Sequence, residues 1–214
     1  MPGFSKIKAI KYGIEKLREE PVLVFGVTIV ALLYWTVPFY IIRYVLGVSE
    51  VIGTIMLFVF LILWSLILLG YMKTAIDIHD GNNYSLKDLL MHYKKLPDFL
   101  IGLLFYLMLV AVSSLFLVIP GIFVAVRFSF GLFFVLQGDG PALESLKKSW
   151  KITGGQFYNL LLLYLILILL NALGVAFAGI GLAFSLPISI VAIVYSYRKL
   201  ARDYKKREIE RIER

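Results

Sequence analysis

Six apolar stretches separated by short polar links set the pattern of this chain. They run from Val22 to about Leu46, Val51 to about Met72, Phe99 to Val118, Ile122 to about Gln137, Gln156 to about Phe177, and Leu182 to Tyr197. Most are long enough at 1.5 Å per residue to cross a hydrocarbon core of ~30 Å. The fourth, about 16 residues and ~24 Å, is short, which places it inside the bundle where neighbours shield its ends.

Between these stretches the periodicity changes. Residues 5 to 20 put Ile7, Ile10, Ile14 and Leu17 on one helical face and Lys6, Lys8, Lys11, Lys16 and Arg18 on the rest. This is a helix lying in the membrane interface or a solvated helix docked on protein. Ser85 to Leu96 repeats the pattern with Leu86, Leu89, Leu90 and Tyr93 on the apolar face. A third copy follows Pro141, with Leu143, Leu146 and Trp150 opposite Glu144, Lys147, Lys148 and Lys151. Pro21, Pro97 and Gly154-Gly155 break the three amphipathic segments, and Pro120-Gly121 and Gly179-Ile180-Gly181 read as tight turns.

The expected fold class is therefore an all-α integral membrane protein. Its six transmembrane helices form three hairpins, each preceded by an amphipathic interfacial helix, and the repetition reads as parallel internal repeats. The expected layout is one membrane domain over 1–214: an amphipathic helix at 1–20, a hairpin at 21–73, amphipathic helix and hairpin at 84–137 and again at 141–197, and a basic tail at 198–214. The basic start before an apolar run is read as retained, since no small-residue cleavage site follows it.

Composition supports lipid as solvent: 60% of residues are hydrophobic, 17% charged, and mean hydropathy is +0.87. The net charge of +8 sits in short runs between apolar stretches, so the expected partners are the bilayer and anionic lipids on the cytoplasmic side, with no nucleic acid. Of 22 Lys and Arg, all but Arg43 and Arg127 flank the side carrying both termini, which predicts cytoplasmic N- and C-termini in a multi-pass protein of the cell membrane. With no cysteine there is no disulfide, thiolate metal site or cysteine nucleophile.

Arg127 stands out, because an arginine in an apolar stretch needs a partner and the stretch holds no carboxylate. It either snorkels to headgroups or bonds freed carbonyls, or it belongs to an outward-facing site for an anion or lipid phosphate with Arg43, Ser113, Ser114 and Asn171. Trp150 with Lys147, Lys148 and Lys151 reads as interfacial anchoring. Asp77, His79 and Asp80 read as a solvated turn and not as a metal site. Small residues four apart, Ala125 with Ser129, Ala172 with Ala176, and Ser185 with Ser189, predict close helix packing. No Walker loop, HExxH, nucleophile elbow or GxGxxG occurs, so no catalytic residue, metal or cofactor is expected.

Ile119-Pro120-Gly121-Ile122, Arg127, Asp139-Gly140, Ala142-Leu143, Ser149-Trp150-Lys151 and Gly155-Gln156-Phe157 resemble the pattern of a group of six-span membrane families. That group includes the membrane domain attached to some bacterial glycerophosphodiester phosphodiesterases. In those enzymes the catalytic barrel is a separate domain for which this sequence has no room, so the resemblance implies a membrane module and carries over no catalytic residue. The expected function is a non-catalytic scaffold, regulator or lipid-interacting module, alone, as a homo-oligomer or with a protein partner. The alternative is a small transporter or channel with an anion site around Arg127.

Overall fold

The computed structural model describes residues 4–22, 26, 50–82, 92–138, 140–176 and 181–212, and every regular element among them is helical. Most of the first apolar stretch, Arg43, most of the second amphipathic segment and Asp139 lie outside the described residues. Four described helical segments, Val51–Asp80, Tyr93–Leu115, Val118–Gln137 and Phe157–Ala176, are long and apolar enough to cross a membrane. The third is the most buried, 39% against 6–22% for the others, although at 20 residues it is as long as Phe157–Ala176 and not the short span expected.

Helix α1 (Lys6–Glu19) begins where the Ser5 hydroxyl accepts a hydrogen bond from the Lys8 N–H at 3.4 Å. It docks on protein: Ala9 and Gly13 are buried, the Tyr12 ring lies 5.3 Å from that of Tyr195, and Lys6 Nζ donates to Asn159 Oδ1 at 3.3 Å. One face of the segment is therefore packed on protein, while Ile7 and Ile14 on its apolar face stay exposed.

Helix α2 (Glu50–Asp80) has 31 residues, about 46 Å by helical rise. It runs well past Met72, so Asp77, His79 and Asp80 occupy its last turns and not a loop. Asp77 takes Lys73 one turn back, and both the N–H and the side-chain amide of Asn82 return to Asp77, which closes the helix end. Among the described residues no three His, Cys, Asp or Glu gather as metal ligands.

A 3-10 turn (Tyr93–Lys95) leads into α3 (Leu96–Phe116), with Pro97 in the first turn where its missing N–H does no harm. The chain breaks at Leu117, whose extended backbone (φ −167°, ψ 150°) separates α3 from α4 (Val118–Phe128). Pro120-Gly121, expected as the turn, instead lies inside α4 near its start. The fourth stretch is broken again at Ser129-Phe130, after which α5 (Gly131–Gln137) ends at Gly138, in the left-handed conformation with φ 78°.

The last three helices are α6 (Ala142–Ile152), α7 (Phe157–Ala176) and α8 (Leu182–Ile212). Helix α8 is continuous through Pro187 and carries the sixth apolar stretch in its first half and the basic tail in its second. Contact between α7 and α8 runs through Gly174, Gly181 and Ser185, while Ala172 and Ala176 are exposed and take no part. Outward on α2, α3 and α7 lie Ile55, Phe58, Leu104, Leu107, Ile168 and Leu169, all exposed, as a lipid solvent requires and water would penalise.

Candidate functional site

The break at Ser129-Phe130 frees backbone groups in a buried region, and α6 supplies the replacements. Ser149 Oγ accepts from the Phe130 N–H at 3.1 Å and donates to the Arg127 carbonyl at 2.9 Å, so one hydroxyl splices both sides of the break. Thr153 Oγ1 lies 3.0 Å from the same carbonyl and 2.8 Å from that of Ser149. Ser145, Ser149 and Thr153 are each fully buried and recur every four residues, a hydroxyl stripe on the inward face of α6. An unpaired peptide group in such a place costs about 1–3 kcal/mol, so the stripe determines where α6 can dock.

That docking fixes Arg127. Its guanidinium carbon stands 4.1 Å from the Trp150 ring centroid and 5.9 Å from that of Phe123. No carboxylate pairs with it among the described residues, and its Nε is buried without a hydrogen-bond partner. Trp150 and Phe123 are both partly exposed, so the cation opens onto the apolar surface.

The neighbours of Arg127 differ from those expected: its guanidinium meets Trp150 of α6 and Phe123 of α4, both aromatic. Ser113 and Ser114 stay near the Leu117 break: Ser113 donates to the Leu109 carbonyl at 2.6 Å, and Ser114 lies against Gly121, roughly 9 Å by helical rise from Arg127. Asn171 Nδ2 is spent between α7 and α8, on the Leu167 carbonyl at 2.9 Å and Ser189 Oγ at 3.0 Å. Ser113, Ser114 and Asn171 are thus not gathered around Arg127, and Arg43 lies outside the described residues. Of the four anchoring residues, Lys147 and Lys151 are exposed and Lys148 is half-buried, while the Trp150 ring carries Arg127.

A second polar centre lies where α2, α5 and α8 end or turn charged. Arg198 Nη1 donates to Gln137 Oε1 at 3.0 Å and its Nη2 to Asp80 Oδ2, tying three helices together at one level. Asp80 Oδ1 lies 3.2 Å from His79 Nδ1, and the Tyr12 ring covers His79 at 5.6 Å. Burial pushes the Tyr12 phenol above its ordinary pKa. Lys95 Nζ donates to the Leu136 carbonyl and so caps α5. Beside this network opens a cavity of about 610 Å³ between α6 and the charged half of α8. Lys148, Lys151, Arg198, Arg202 and Lys205 line it, with Glu208 the one carboxylate.

The sequence places Arg198, Arg202 and Lys205 in a basic helical tail and gives Gln137 no role. Their signal was present: positions 198, 202 and 205 follow the i, i+4, i+7 spacing of a single helical face. No family model, curated protein or solved structure matches this chain.

Proposed function

We propose that the protein is a non-catalytic, six-span protein of the cell membrane with both termini in the cytoplasm, acting as a scaffold or regulator through its contacts with lipid. The observation that carries this reading is Arg127: a cation in an apolar helix, held on a tryptophan ring, open to the apolar surface and without a carboxylate partner among the described residues. Such a group is satisfied by a phosphate at headgroup depth, here in the inner leaflet. The sequence resemblance to six-span membrane modules supports the same reading. The cavity at the charged end is not lined by Arg127, so it lends nothing to the transporter alternative.

The test is native mass spectrometry of the protein released from nanodiscs containing phosphatidylglycerol. Wild type retains the lipid, and Arg127→Leu loses affinity by about tenfold, the scale of one charge-assisted hydrogen bond. Equal retention by a folded Arg127→Leu protein removes the site.

A further inference from the structure

We infer that the cavity between α6 and the charged half of α8 is a binding site for a ligand carrying two phosphate groups. Five cations and one carboxylate line it. Asp80 neutralises Arg198, but Lys151, Arg202 and Lys205 make no ion pair among the described residues. Like charges held this close repel, and a bound polyanion removes that repulsion. Next to these cations, Gln137 Nε2 and Arg198 Nε are buried donors without an acceptor; they lie behind the cavity wall and add unbalanced positive polarity to it.

The geometry distinguishes a site from a sticky tail. Cations come from two helices, Lys148 and Lys151 on α6 and Arg202 and Lys205 on α8, and Arg198 is held in place by Asp80 and Gln137. A volume of about 610 Å³ lies within the usual range for small-ligand pockets. Another face of the same helix differs: there Lys199, Lys206 and Arg207 are interleaved with Asp203 and Glu210, and Lys199 is paired with Asp203 at 3.0 Å. Two phosphates can arrive on a lipid headgroup such as that of cardiolipin or on a soluble diphosphate, and the cavity chemistry is common to both.

The experiment uses the full chain in phosphatidylcholine nanodiscs, one set doped with cardiolipin and one set titrated with pyrophosphate. Arg202→Gln with Lys205→Gln removes two exposed charges from the cavity; Lys206→Gln with Arg207→Gln removes two exposed charges that do not line it. The cavity pair weakens binding about tenfold or more in at least one set, while the control pair changes it less than about twofold. Lys151→Gln, on the other helix, weakens binding in the same set. Loss confined to cardiolipin identifies the lipid source, and loss with pyrophosphate the soluble one. Equal weakening by both pairs means diffuse attraction and overturns the inference, as does absence of binding in both sets or unchanged binding by the cavity pair. The lipid role of Arg127 is separable: Arg127→Leu leaves cavity binding intact, and a protein that loses lipid only with Arg127→Leu keeps that role and lacks this site.

Discussion

The two ends of the bundle are held by different means. At one end Arg198, Asp80, Gln137 and Lys95 tie helix termini together with charged and amide side chains. At the other, roughly 25–30 Å away by helical rise, the helices meet through small residues: Gly121 against Ser114, and Gly174 against Gly181 and Ser185. A β-carbon placed on Gly121 would stand 2.0 Å from Ser114 Oγ, and one on Gly181 would stand 2.6 Å from Gly174 Cα. The difference follows from solvent. Charged side chains are tolerable where headgroups and water can reach them, whereas in hydrocarbon close backbone contact is the main attraction left. Between the two ends lies the Ser149 splice, the one place described here where a deep helix break is closed by hydroxyls from another helix.

The largest effect is expected at that splice. Ser149→Ala leaves the Phe130 N–H buried and unpaired while Thr153 can still reach the Arg127 carbonyl, so it costs about 1–3 kcal/mol. Ser149→Ala with Thr153→Val orphans the carbonyl as well and exceeds either single change, read as the midpoint of thermal unfolding in nanodiscs. If the double variant melts as wild type does, α6 is not held by its hydroxyls. Next comes Gly181→Ala, which forces the α7 and α8 backbones apart at the apolar end and costs about 1–3 kcal/mol by overpacking. It should leave cavity binding unchanged, because the site lies at the other end; a parallel loss of binding would show that the two ends are not independent.

Hydrophobic length made the helices legible, since a long apolar stretch has few alternatives to a helix in lipid. Helix ends were less legible because they depend on partners distant in sequence. The end of α2 at Asp80 is held by Arg198 from α8, and the break at Ser129-Phe130 is tolerable only because Ser149 arrives from α6. Arg127 drew attention by its isolation, but counting residues from an assumed turn at Pro120-Gly121 could not show that Trp150 lies beneath it. The basic cavity was harder still: a helical tail was legible, but that its second half stands beside α6 is a tertiary fact that no local pattern states. The i, i+4, i+7 spacing of 198, 202 and 205 was the clue available, together with the four-residue recurrence of Ser145, Ser149 and Thr153.

The proposal that the charged end faces the cytoplasm and the apolar end the outside is tested most directly by labelling, and a chain without native cysteine suits it. Leu117→Cys places a thiol at the exposed break between α3 and α4, and Lys206→Cys places one on the exposed charged half of α8. A membrane-impermeant maleimide added to intact cells should modify the first and reach the second only after permeabilisation. Labelling of the Lys206→Cys protein in intact cells, or indifference of both positions to permeabilisation, would contradict the orientation on which the lipid reading depends.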